Sequence, residues 1–198
     1  MFYIIAKFIF LIIFKFFFRL KVTGQENIPQ DGPFIIVANH SSLLDPVILG
    51  VSVKPKVIFI AAVYLFEIHW LDYLLRKANS IPIHRENYTD NIESIKQALK
   101  ILHRGGVLGI FPEGGVNRKK DDLPIKAGAA YLATKVGVPI VPIKIKGADR
   151  ALPRGAKFIR SLNKIEVKIK KPIYCSRYTN KNKEIVERVV ESFTKEIY

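Results

Sequence analysis

One cysteine, Cys175, stands among the 198 residues, so an intramolecular disulfide is excluded and a reducing compartment suits the chain. Its thiol is read as a passive, semi-buried group with no assigned role. Histidines and cysteines at zinc-ligand spacing are missing, and no metal site is expected. An RNA-recognition aromatic strand and a helix-turn-helix pattern are missing too, so no nucleic-acid partner is expected. No internal repeat or low-complexity linker interrupts the chain. No convincing small-residue cleavage pattern follows its apolar start, which argues against a removed signal peptide. Acidic residues are scarce, 17 against 32 basic ones, and the formal net charge is +15.

What is present begins with apolar bulk: 49% of the residues are hydrophobic, enough for one α/β domain with a sizeable core and an appendage. Residues 1–20 are almost wholly Ile, Leu and Phe, broken by Lys7, Lys15 and Arg19. On a helix Lys15 falls about 80° and Arg19 about 120° from Lys7, so the cations share one side opposite a face of Phe and Ile. Such a helix suits a membrane interface; spanning would put Lys7 near mid-bilayer at a cost of roughly 3 kcal/mol. A helix that merely covers a soluble core is the alternative. Between Lys144 and Lys171 ten basic residues face only Asp149 and Glu166, a local net of +8. That belt seeks anions, and beside a Phe-rich terminus the expected partner is an anionic lipid surface.

Apolar runs of strand length alternate with helical periods, an α/β rhythm. Strands are expected at Phe34–Ala38, Val57–Ala61, Ser80–Ile83, Val107–Phe111, Ile140–Ile145 and Ile165–Ile169, the last with Glu166, Lys168 and Lys170 facing outward. Helices are expected from Asp45-Pro46 onward, over 64–77, at Thr89–His103 and at Lys183–Tyr198. His69 in the second of these is read as structural. The expected fold is a single α/β domain over 21–198, with a central mixed, largely parallel sheet flanked by helices, plus an N-terminal apolar, amphipathic membrane helix over 1–20.

Three constellations carry chemistry. Asn39-His40-Ser41-Ser42-Leu43-Leu44-Asp45 follows the first strand, and His40 with Asp45 offers a base and its orienter without a nucleophilic serine or cysteine. Residues five apart on a helix lie about 140° round the axis and would not meet, so His40 must sit on the strand end and Asp45 across a strand-to-helix turn. There Asp45 can accept the Nδ1 proton and leave Nε2 to take one from an alcohol. The competing reading makes Asp45-Pro46 an N-cap and first-turn pair, with Ser42 and Asp45 as a capping box. Phe111-Pro112-Glu113-Gly114 ends a second strand, where open α/β sheets bind ligands; a plain loop with a solvated carboxylate is the alternative. Ile81-Pro82-Ile83-His84-Arg85 ends a third, and the Arg85 guanidinium suits a phosphate, or else a surface ion pair with Glu86 or Asp90.

Those blocks, followed by Val138-Pro139-Ile140-Val141-Pro142, give the chain a clear resemblance to the 1-acylglycerol-3-phosphate acyltransferases over about residues 25–145. The resemblance implies transfer of a fatty acyl group from acyl-CoA or acyl-carrier protein to the sn-2 hydroxyl of lysophosphatidic acid. No bound cofactor, metal or covalent acyl-enzyme is implied. His40 would be the general base of the HX4D motif and Asp45 its partner. Arg85 would help hold the acceptor phosphate, and Glu113 and Gly114 would shape the acceptor site. The catalytic domain is expected at the cytoplasmic face of a membrane.

Two departures stand out. The family usually continues its glutamate-glycine pair as Thr-Arg-Ser, whereas Gly115-Val116-Asn117-Arg118 follows here, and the usual glycine of the second block is Asn79. Arg118, Lys119 or Lys126 would have to substitute for the missing phosphate-binding arginine. Another lysolipid or an amino-lipid is therefore the alternative acceptor, and a silent basic membrane- or nucleic-acid-binding protein is the alternative of a different class.

Overall fold

The computed structural model describes residues 2–84, 89–116, 125–156, 158–175 and 183–198. Along the chain run α1 (Phe2–Phe17), β1 (Lys21–Thr23), β2 (Phe34–Ala38), α2 (Asp45–Ser52), β3 (Val57–Ala62), α3 (His69–Lys77) and β4 (Ile81–Ile83). There follow α4 (Ile92–His103), β5 (Val107–Ile110), α5 (Gly128–Val136), β6 (Ile140–Lys146), α6 (Ala148–Ala151), β7 (Glu166–Ile169) and α7 (Lys183–Ile197). The strands form one sheet in the order β1-β7-β6-β2-β5-β3-β4. Neighbours pair parallel except β6 with β7, so the sheet is mixed and largely parallel, as the sequence predicts.

Strand periodicity sorts the core into two layers. Phe34, Ile36 and Ala38 of β2 join Val141, Ile143 and Ile145 of β6 and Val167 and Ile169 of β7 against α1 and α2. Ile35 and Val37 face the other way, with Leu108 and Ile140, against α4, α5 and α7. β2 is therefore buried at every position, which is why it reads as a continuous apolar run rather than an alternating one. The parallel register pairs Phe34 with Val107 and Val37 with Ile110, so β2 and β5 end together. That shared end is where the site forms.

The N-terminal expectation needs correction. α1 stops at Phe17, and Arg19 adopts a left-handed backbone, φ 47°, which takes it off the helix face it was expected to share with Lys7 and Lys15. Lys7 turns inward: its Nζ donates to the carbonyl of Val53, the C-cap of α2, and to that of Lys54 just beyond. Burial pulls its pKa down. Phe14 and Phe18 enter the core, while Phe8 and Phe16 are 63% and 78% exposed. α1 thus covers the domain with one face and offers aromatic surface with another. Among the described residues no helix is long and apolar enough to cross a membrane.

The C-terminal belt is also less open than its charge suggests. Lys170 pairs with Glu196 of α7 at 2.9 Å and Lys164 with Glu166 at 2.6 Å. Lys144 reaches the Tyr198 carbonyl oxygen.

Candidate active site

Equal offsets from the Val37–Ile110 pair carry β2 to His40 and β5 to Glu113, and the two segments stay in register beyond the sheet. The His40 backbone N–H donates to both carboxylate oxygens of Glu113, 3.0 Å each, so a side chain continues the ladder where the β5 backbone turns away. The turn is closed by Gly114 N–H donating to the Phe111 carbonyl at 3.0 Å, with Gly114 at φ +70°, a conformation that favours glycine. On the other flank the Asn39 amide extends the β2–β6 ladder, donating to Ile145 O at 2.9 Å and accepting from Ile145 N–H at 2.7 Å. His40 is therefore held by its backbone from both neighbouring strands.

Its ring is held just as closely. Nδ1 lies 3.0 Å from Asp45 Oδ2, and the imidazole stacks on Phe111 with centroids 4.1 Å apart and planes 22° off parallel. Asp45 is fully buried, and the same Oδ2 accepts from Ser41 N–H and Ser42 N–H at 2.7 Å each. These donors precede Asp45 in sequence, whereas a cap would serve amides that follow it. The helix cap is Leu44, without a side-chain cap bond, so the carboxylate folds the His40–Asp45 loop rather than starting α2. Asp45 Oδ1 is buried and has no hydrogen-bond partner among the described residues. With Oδ2 bound to Nδ1–H, the imidazole is the tautomer whose Nε2 lone pair is basic.

Glu113 is nearly buried, and desolvation raises its pKa against the opposing bonds from Tyr198 and His40. Tyr198 Oη donates to Glu113 Oε1, and burial with that carboxylate beside it pushes the Tyr198 hydroxyl up. Sequence reasoning missed Tyr198, which lies 85 residues from its partner and matches no motif. The helical stripe Ile185, Val189, Phe193, Ile197 gives only the hint that α7 turns its last residues toward the sheet. Phe111 as the ring beneath His40, and Asn39 as a splice between strands, were equally unannounced.

The structure brings together His40, Asp45, Glu113 and Gly114, and sets Lys126 close by. Its N–H donates to the Pro112 carbonyl at 2.9 Å, and its stem lies over Gly114, where a Cβ would meet Cε at 3.2 Å. Arg85, Arg118 and Lys119 lie outside the described residues. Cys175 is buried with its thiol pushed up to about 11, consistent with a passive role. Among the described residues no His, Cys, Asp or Glu cluster could hold a metal ion. A cavity of 680 Å³ lined by Phe34, Val53 and Val107 opens at the amino ends of β2 and β5, away from His40.

An imidazole just past the end of a buried parallel strand, with a carboxylate on its Nδ1 and a second carboxylate braced beside it, has the geometry to take a proton from a hydroxyl. The acyltransferase family model matches residues 19–146, which include every residue of this cluster except Tyr198. The chain belongs to the acyltransferase family. It is 31% identical over 180 residues to the 1-acyl-sn-glycerol-3-phosphate acyltransferase of Bacillus subtilis, covering 90% of this chain and 86% of that protein. It is 31% identical to the chloroplastic enzyme BAT2 of Brassica napus, covering 89% of this chain and 51% of that longer protein. The crystal structure of the lysophosphatidic acid acyltransferase PlsC from Thermotoga maritima matches with a TM-score of 0.69 and 29% identity, over 89% of this chain and 71% of that one. Members of this group are O-acyltransferases, so the family and the reaction class expected from the ordered blocks stand.

Proposed function

We propose that this acyltransferase moves a fatty acyl group from an acyl thioester, carried on coenzyme A or on acyl-carrier protein, to the sn-2 hydroxyl of 1-acylglycerol-3-phosphate, forming phosphatidic acid. The observation that carries the reading is the 3.0 Å His40–Asp45 pair at the shared end of β2 and β5, in a chain so similar to the Bacillus subtilis enzyme. His40 Nε2 takes the hydroxyl proton while the acceptor oxygen attacks the thioester carbonyl carbon. The tetrahedral intermediate collapses with cleavage of the C–S bond, and the thiol leaves carrying the proton back from the imidazolium. Asp45 stabilises the imidazolium without becoming protonated. The thioester is itself the activated group, so the reaction calls for no resident cofactor.

Glu113 and Gly114 line the acceptor side, the glycine making room for the Lys126 stem that lies over it. Arg85 and Lys126 supply cations for the acceptor phosphate, with Arg118 as a further candidate. The exposed aromatic face of α1 lies on an anionic membrane surface, and the catalytic domain sits on the cytoplasmic side. Lipid acceptor and product then need not leave the bilayer.

The test is to incubate purified protein on vesicles with lysophosphatidic acid and each thioester donor in turn, following thiol release and lipid product. Phosphatidic acid from one donor supports the reading and identifies the carrier. The altered Gly115-Val116-Asn117 segment motivates a second acceptor reading. Thiol release only with another lysolipid or an amino-lipid would replace lysophosphatidic acid with that acceptor.

A further inference from the structure

A second apolar surface stands beside the site, and its base, Ala148 and Ala151, packs in the same core layer as Phe14 and Phe18 of the N-terminal segment. After β6 ends at Lys146 the chain makes an excursion and returns at Asn163. The neck is closed: Asn163 Nδ2 donates to the Gly147 carbonyl at 2.8 Å and to the Lys164 carbonyl at 3.0 Å. Gly147 takes φ +89° there, and a Cβ on it would fall 2.3 Å from the Lys164 oxygen, so only glycine lets the two arms meet. Within the excursion Arg160 N–H donates to Ala151 O at 2.8 Å and Ala156 N–H to Pro153 O at 3.0 Å. This is a braced loop of the compact surface type.

Its exposed side chains are the wrong kind for water. Phe158 is 80% exposed, Ile159 50% and Leu162 53%. From Ala148 to Lys164 the sequence holds five basic residues against Asp149 alone, and one of the five, Lys164, pairs with Glu166 just beyond. The loop also emerges at the catalytic end of the sheet, because β6 runs parallel to β2, and it is tied to the His40–Asp45 loop: Ser42 Oγ donates to Leu152 O at 2.8 Å. The next residue, Leu43, is 55% exposed.

We propose that the loop over 148–162 docks on an anionic bilayer, with Phe158, Ile159 and Leu162 entering the interface, so that the mouth beside His40 faces the lipid. An aromatic and aliphatic tip whose nearest charged neighbours in sequence are cations, on a loop of net positive charge, matches the interfacial pattern: the apolar groups enter the acyl boundary, and the cations stay at the head groups. An acidic carrier protein would match the charge but leave the exposed Phe158 unexplained. The inference extends the proposed lipid reaction, yet its readout is binding, which the identity of the acceptor does not enter.

The experiment places a single thiol at the tip, Phe158→Cys, and labels it with an environment-sensitive fluorophore. Cys175 is buried and stays unlabelled. Vesicles containing anionic phospholipid should shift the emission to the blue, and purely zwitterionic vesicles should do so far less. The triple variant F158S/I159S/L162S, made at positions already exposed and checked for folding by its thermal melt, should partition to anionic vesicles at least tenfold more weakly. Its turnover on a short-chain, monomeric acceptor should stay unchanged. An unshifted label on anionic vesicles would overturn the proposal. Unchanged partition of the triple variant with a raised KM for acyl-carrier protein would overturn it in favour of carrier docking. Absence of acyl transfer in the wild type, with the blue shift intact, would count against the proposed reaction and leave the docking loop standing.

Discussion

Two phenylalanine-bearing helices cover opposite faces of the same sheet, and they treat their outer faces differently. α7 buries Phe193 completely and turns outward a row of ion pairs, Arg188 with Glu184 at 2.5 Å and Lys183 with Glu187 at 3.7 Å. α1 buries Phe14 but turns outward Ile5, Phe8, Ile9, Ile12 and Phe16, each at least half exposed. Both obey the same rule of covering the sheet with an apolar stripe, and they differ in the chemistry of the outer face. The outer face of α7 suits water, and that of α1 suits lipid. Between the layers sits the opposite arrangement, a polar cluster in which Asp45 is sealed and Glu113 nearly so. The account therefore predicts that chemistry and attachment can be broken separately.

The largest effect belongs to the sealed cluster. His40→Ala should lower turnover by roughly two to four orders of magnitude, with vesicle binding unchanged. A variant that also fell off vesicles would break the separation. Asp45→Ala should reduce turnover by about two orders and also destabilise the fold, by about 3 kcal/mol, because it strands His40 Nδ1–H, the half-buried Ser41 N–H and the buried Ser42 N–H. Denaturant unfolding checks that cost. On the other side of the comparison, the double substitution F8D/F16D should weaken partition to anionic vesicles by about tenfold or more, leaving turnover on a monomeric acceptor intact.

Smaller effects sharpen the polar side. Tyr198→Phe keeps the ring and removes the hydroxyl from Glu113, so a rise of about two- to fivefold in the acceptor KM is expected, with kcat nearly constant. Glu113→Gln tests burial directly. The folded pKa of Glu113 is raised above 4.5, so its ionised form costs stability above the folded pKa, and the cost disappears as pH falls below the unfolded value. The Gln variant should be at least as stable as wild type at neutral pH while losing activity. The stability difference should narrow on acidification through that window, as read by thermal melts across pH.

The asymmetry between regions also governs what the sequence discloses. β2 was legible to the residue, Phe34–Ala38, because burial on both faces leaves an unbroken apolar run. The His40–Asp45 pair was legible because a five-residue spacing can close only across a strand-to-helix turn. β1 escaped notice: three residues with alternate exposure carry too little apolar signal, and their pairing with β7 depends on a partner 145 residues away. α5 escaped because its buried face is built from Ala129, Ala130 and Ala133, small residues that leave a weak hydrophobic period. Tyr198 and the tie between Ser42 and Leu152 depend on tertiary packing alone. Arg19 leaves its expected face for a local reason, a left-handed backbone, whereas Lys7 turns inward through a tertiary contact with the Val53 and Lys54 carbonyls.

The central claim is that an imidazole activates the acceptor hydroxyl for direct attack on the thioester. It is tested by mixing the protein at substrate-level concentration with a labelled acyl thioester, first without and then with lysophosphatidic acid. The account predicts no thiol and no protein-bound label before the acceptor is added, then thiol and phosphatidic acid in equal amounts. A burst of thiol equal to the protein concentration, with the acyl label covalently on the chain before any acceptor is present, would contradict it.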